Sequence, residues 1–136
     1  MKNTGLLNLE KLVGPNITLT PLTVKDLEPL FKALMSNTTW MVAERGIKDE
    51  KAFEKYIKSF LERQEKGEGL TLVARTNKSC EITSMSTFWN FSPTRTKIEI
   101  GFTWVADKWM GTFVNTEQKF LMLNYAFEKL NVRRVE

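Results

Sequence analysis

In "KIEIGFTWV", Lys97 to Val105, every second residue is apolar. An extended chain would place Ile98, Ile100, Phe102 and Trp104 on one face and Glu99, Gly101 and Thr103 on the other. "NITLTPLT", Asn16 to Thr23, alternates through Ile17 and Leu19 until Pro21 stops it. "LTLVAR" (Leu70 to Arg75) and "EITSMSTFWNF" (Glu81 to Phe91) are two more predicted strands, joined by the turn "TNKSCE", and "SPTRT" around Pro93 breaks the chain before Lys97. Elsewhere the period changes to that of a helix. After Asp49, a capping residue, Phe53, Tyr56, Ile57, Phe60 and Leu61 form one face, and Gly67 closes the segment. Thr23 and Asp26 have capping-box spacing ahead of Leu27, Leu30, Phe31 and Leu34. Pro29 then requires that helix to begin after Val24 or to have distorted first turns. "VNTEQKFLMLNYAFEKLN", from Val114, places Phe120, Leu123, Phe127 and Leu130 at helical spacing, and "VRRVE" opens a last strand. The predicted order is β-α-α-β-β-β-α-β, an α+β domain.

A chain of 136 residues with 42% hydrophobic and 26% charged positions supports a single core and a single domain, residues 1–136. The net charge of +4 favours anionic ligands in a general way, but the interleaved Lys and Glu from Lys48 to Lys66 read as a solvated helix face. "MKNTGLLNLEKLVG" is a poor signal peptide and no stretch is apolar for long enough to span a bilayer, so a cytoplasmic protein with no membrane partner is expected. No RNP-like strand, zinc knuckle or basic helix points to a nucleic acid. Cys80 is the one cysteine and there is no histidine, which excludes an intrachain disulfide, a Cys/His metal site and Ser-His-Asp or Cys-His chemistry. Proton transfers would fall to carboxylates, Tyr, Lys, water or the backbone.

"DKWMGTFVNTEQKF", Asp107 to Phe120, places Gly111 in a polar turn just ahead of the last helix. Met110, Gly111, Thr112, Phe113, Val114 and Asn115 are positioned to offer unpaired N–H groups to an anion. Plain capping by Thr112, Asn115 or Thr116 is the other reading of the same residues.

This order, with "NITLTPLTVKDLEPLF", "KIEIGFTWV", "KWMGTFVNTEQKFLML" and "AFEKLNVRRVE" in succession, resembles the GCN5-related N-acetyltransferase (GNAT) superfamily. More narrowly it looks like the branch containing the RimJ/RimL-like ribosomal-protein N-terminal acetyltransferases. The resemblance implies an acyl-CoA N-acyltransferase fold, a mixed sheet with flanking helices. It implies acetyl-CoA as co-substrate, no metal, and direct attack by a small-molecule or peptide amine. The pyrophosphate would meet Met110 to Asn115 with Lys108 nearby, and the thioester oxygen a backbone amide among Thr103, Trp104 and Val105. Such an amine titrates near about 8 for an α-amino group and about 10 for a lysine, so a base is needed, and Glu99 is the candidate. One wet strand face explains Glu99 equally. Trp40, Phe88 and Trp89 are candidates for the acceptor pocket or for the core. Three departures stand out. Phe113 occupies a position where the family has a small residue, which predicts crowding at the phosphates. Ser84 stands where many relatives have glycine. The family's domain continues past its fifth strand, whereas "RRVE" reads as that strand's beginning, so an incomplete C-terminus is expected. An inactive fragment that binds CoA or self-associates is therefore the alternative, with homodimerisation through the open sheet edge. Light scattering tests this: dimerisation predicts a mass that rises across a concentration series, and a constant monomeric mass counts against it.

Overall fold

Strands whose β-branched and aromatic side chains alternate can be buried on both faces only if helices cover both, and this arrangement is found. The computed structural model describes residues 8–34, 47 and 49–136. Its elements are β1 (Leu12–Val13), β2 (Ile17–Pro21), α1 (Leu27–Leu34), α2 (Glu50–Glu65), β3 (Gly69–Thr76), β4 (Ile82–Trp89), β5 (Lys97–Val105), α3 (Val114–Glu128) and β6 (Arg134–Val135). Among the described residues the strands form one sheet in the order β1-β2-β3-β4-β5-β6. Every neighbouring pair is antiparallel except β5 and β6, which are parallel. No helix among the described residues is long and apolar enough to cross a membrane.

Two cores result. On one face Ile17, Leu19, Leu72, Phe88 and Ile98 cluster with Val114, Met122 and Ala126 of α3. On the other, Val73, Met85 and Trp104 cluster with Leu30 and Leu34 of α1 and with Phe53, Ile57 and Phe60 of α2. Pro29 is accommodated because α1 starts at Leu27, after a short 3-10 turn at Val24–Asp26. That places the proline in the first turn, where its missing N–H costs no helical bond. α2 opens on Asp49, whose carboxylate accepts from the Ala52 N–H at 2.8 Å. Past its C-cap Lys66 comes Gly67, whose φ of 76° suits glycine.

Two expectations from hydrophobic period fail. Phe120, Leu123 and Phe127 of α3 are 65%, 37% and 44% exposed rather than buried. The helix instead buries Val114, Gln118, Met122 and Ala126, one row at a spacing of four. A row of narrower side chains lets the helix approach the sheet, and Gln118 sits in it because its Oε1 accepts from Ser84 Oγ at 2.8 Å. The second failure is in β5. Ile98 and Ile100 face α3, but Phe102 and Trp104 belong to the opposite core, with α1 and α2. A β-bulge lies between them, described below.

β1, absent from the sequence prediction, pairs Leu12 with Leu19 and Val13 with Thr18. The connection from β1 to β2 is tied to α3 by one carboxylate. Glu117 Oε2 accepts the N–H of Asn16 and of Ile17, each at 2.8 Å, and Oε1 accepts from Asn16 Nδ2 at 2.8 Å. A Cβ on Gly14 would come within 2.6 Å of Glu117 Oε2, so glycine there permits the close approach. Glu117→Ala should cost about 1.5–3 kcal/mol, the scale of hydrogen bonds to a charged group. A fall in the urea midpoint at unchanged m value checks it.

Candidate active site

The bulge in β5 begins the site. Met85 pairs with Trp104 and Thr87 with Gly101, so β5 spends one residue more than β4 over that interval. Phe102 absorbs it with φ of 50°, a left-handed conformation that costs a bulky residue about 1–3 kcal/mol. Beyond the bulge the faces are exchanged, and the Thr103 side chain turns toward α3.

On its far side β5 is flanked by β6. β6 pairs at Lys97 and Ile98, and the last contact is the Ile100 N–H to Glu136 O at 2.9 Å. From Gly101 to Val105 no strand flanks β5 on that side among the described residues. The Ala106 N–H bonds Thr83 O on β4 at 2.9 Å. Ladder alternation therefore turns the amides of Val105 and Thr103 away from β4 and that of Trp104 toward it. Of the three strand amides suggested by sequence, Trp104 is thus withdrawn.

The start of α3 supplies further amides. The N–H groups of Gly111, Phe113, Asn115 and Thr116 have no acceptor among the described residues. The N–H of Val114 takes Thr112 Oγ1 at 3.3 Å, and that hydroxyl itself donates to Trp109 O at 2.6 Å, so Thr112 serves the turn. Gly111 has φ of 72° with nothing near its missing Cβ, so conformation rather than space requires glycine. Phe113 does not crowd these amides as its size suggested: its ring is exposed and packs edge-on against Trp109, 6.1 Å between centroids. Met110 is exposed beside it. Glu117, the first-turn acid, is bonded to β2 rather than to the amides of its own helix. Lys108 is directed at Glu81, with Nζ 3.0 Å from Oε2, and Trp109 Nε1 donates to the same oxygen at 3.3 Å.

Glu99 lies opposite Trp89 and accepts from Asn90 Nδ2. The Trp89 indole runs over Gly101, where its Nε1 would stand 3.3 Å from a Cβ, and its ring lies 5.1 Å from that of Phe102. Trp89 and Glu99 therefore share a half-buried aromatic corner. Phe88 does not: it is 0% exposed in the core under α3, because neighbouring strand residues point to opposite faces. Trp40 lies outside the described residues.

Sequence reasoning missed the polar layer between α3 and the sheet. Thr83, Ser84, Ser86 and Gln118 are buried. Ser86 Oγ lies 2.7 Å from Thr103 Oγ1, which also accepts from Lys119 Nζ at 3.0 Å. Gln118 Nε2 is a buried donor without an acceptor among the described residues. A ligand bearing carbonyl groups fits such an orphaned donor and the row of free amides. The one signal in the sequence was a glutamine within the 114–118–122–126 row, which a hydrophobic count discards.

The family model for the acetyltransferase (GNAT) domain matches residues 16–136. The chain belongs to the GNAT domain family. Comparison with curated protein sequences gave no match. Among solved structures, this GNAT domain is similar to one from Vibrio cholerae assigned as a ribosomal-protein-serine acetyltransferase: TM-score 0.76, 16% identity, over 90% of this chain and 69% of that one. A GCN5-related N-acetyltransferase from Brucella melitensis gives TM-score 0.79 at 20% identity, over 93% of this chain and 58% of that one. The ribosomal-protein α-N-acetyltransferase RimL, in complex with coenzyme A, gives 0.74 at 16%, over 93% and 72%. These likenesses establish the fold, and the GNAT chain described here spans 58% to 72% of their lengths.

The Glu81 carboxyl, beside the turn, lies below its ordinary 4.5, chiefly through the Lys108 hydrogen bond; burial opposes this, and the Trp109 hydrogen bond and Lys108 charge add to it. A depressed folded-state value means the contact stabilises fully above the unfolded value and is lost as pH falls through the folded one. The stability difference between the GNAT domain and its Glu81→Gln variant should therefore be constant above pH 4.5 and shrink below it, as measured by denaturant titration at stepped pH.

Proposed function

We propose that the chain transfers an acetyl group from acetyl-CoA to a primary amine, a protein N-terminus or a small-molecule amine, by direct attack on the thioester. The observation that carries this reading is the set of free amides of Gly111, Phe113, Asn115 and Thr116 at the start of a 15-residue helix that packs against β5. Unpaired N–H groups and the positive end of a helix dipole suit a pyrophosphate. That a structure of similar fold, RimL, holds coenzyme A supports the same ligand class.

In this reading the amides of Thr103 and Val105 offer hydrogen bonds to the thioester oxygen as it gains charge. Such donors act strongly because they are fixed before the reaction. Glu99, on the other face of the same strand, accepts the proton of the attacking ammonium directly or through water. Asn90 orients its carboxylate, and Trp89 covers one side of the approach. An α-amino group, with a pKa of about 8, is deprotonated more easily than a lysine at about 10, which favours a protein N-terminus as acceptor.

Calorimetry with acetyl-CoA, desulfo-CoA and plain pyrophosphate tests the donor site. Acetyl-CoA and desulfo-CoA should bind alike, and pyrophosphate more weakly at the same turn; no heat up to millimolar donor overturns the reading. With an amine acceptor, Glu99→Gln should lower kcat by about 10²–10⁴, the range for a lost general base, at unchanged donor affinity. An unaltered kcat removes Glu99 from that role.

A further inference from the structure

Arg63, in the last turn of α2, has no acid within reach on its own helix. One turn away on either side stand Ser59 and Gly67, so the pairing that occupies Lys32 and Lys58 with Glu28 and Glu54 has no counterpart here. No carboxylate among the described residues pairs with it. The guanidinium lies instead over two rings, with Cζ 5.8 Å from the centroid of Phe60 and 5.8 Å from that of Phe102. Phe60 is buried and meets Phe102 edge-on at 5.2 Å, so packing fixes the stacked cation while Arg63 stays exposed and its N–H fork free. Phe102 joins this cation to the aromatic corner. Its ring lies 5.1 Å from that of Trp89, and Trp89 stands opposite Glu99. α2, β4 and β5 supply all of these residues.

We propose that Arg63 determines specificity by selecting acceptors with an acidic side chain close behind the amine, an Asp or Glu at the second or third residue of a peptide N-terminus; this rests on the acyl transfer proposed above and names its acceptor class. The corner carries one charge of each sign with apolar surface between them. Glu99 attracts the ammonium, the Arg63 fork takes a carboxylate through two parallel hydrogen bonds, and the rings of Trp89 and Phe102 cover the chain that joins them. Two ring contacts separate the charges, on the order of 10 Å, which two or three extended residues span at about 3.3–3.6 Å each. A lysine at the same place in the acceptor would meet a like charge.

The test measures binding and transfer on the full chain, with pairs of short peptides alike except for Asp or Asn at the second residue, or at the third. By calorimetry the Asp peptide of at least one pair should bind about five- to tenfold tighter than its Asn twin, between the worth of an exposed pair of charges and that of a bidentate one. The kcat/KM values with acetyl-CoA should follow the same ratio. Arg63→Met keeps an apolar stem over the rings and should bring the ratio close to one, whereas Arg63→Lys, with the charge but not the fork, should keep part of it. Equal binding of Asp and Asn peptides, a preference that survives in Arg63→Met, or no binding of any peptide up to millimolar overturns the proposal. Acetyl transfer without the preference overturns it and leaves the acyl transfer standing. An Arg63-dependent preference in binding with no transfer to any peptide removes the acyl transfer itself, and with it the acceptor role.

Discussion

The left-handed residue in β5 is the constraint on which the rest of the molecule turns. With Phe102 extended, Phe102 and Trp104 would lie under α3 beside Ile98 and Ile100, and the second core would lose the two rings that meet Phe60 and Tyr56. Thr103 would then point away from α3. The bulge costs about 1–3 kcal/mol in backbone strain. Burying Trp104 returns about 1.5–3 kcal/mol and partly burying Phe102 adds to it, so the fold tolerates the strain without special compensation. The same distortion turns the Thr103 hydroxyl toward α3 and leaves the amides of Thr103 and Val105 facing away from β4.

Charges are kept off the backbone donors. Glu117 would be a competitor for the amides of α3, and instead holds the amides that begin β2. Lys108 is occupied by Glu81. Thr112 closes its own turn. What is left at the start of α3 is backbone, which keeps its geometry because Gly111 and the helix fix it. A site made of main-chain donors places little demand on side-chain identity. The turn thus keeps these amides free with Phe113 where the resemblance called for a small residue.

The polar layer of Thr83, Ser84, Ser86, Thr103 and Gln118 is unusual for the seam between a helix and a sheet, where apolar contacts would pack without any need for satisfied partners. Most of its members are bonded to one another. The exceptions are a spare donor on Gln118 and an amine on Lys119 held by a single hydroxyl. Both sit on successive residues of α3, so the seam is polar toward the start of that helix and apolar further along, at Met122 and Ala126.

Local pattern by itself determined the strands at Ile17, Leu70, Ile82 and Lys97, the helix capped by Asp49, the turn at Gly111 and the order of elements after β1, because period, caps and breakers act between near neighbours. The absence of histidine likewise limited the chemistry in advance. Tertiary structure alone decided which face each element buries. α3 hides Val114, Gln118, Met122 and Ala126 because closeness to the sheet and a bond to Ser84 outweigh the greater hydrophobicity of Phe120 and Phe127. β5 exchanges its faces at Phe102 because β4 holds its register on both sides of the extra residue. A bulge does not alter the alternation of letters in a sequence, and a buried polar seam exists only once its partners, Ser84 and Gln118 or Thr103 and Lys119, have been brought together by the fold.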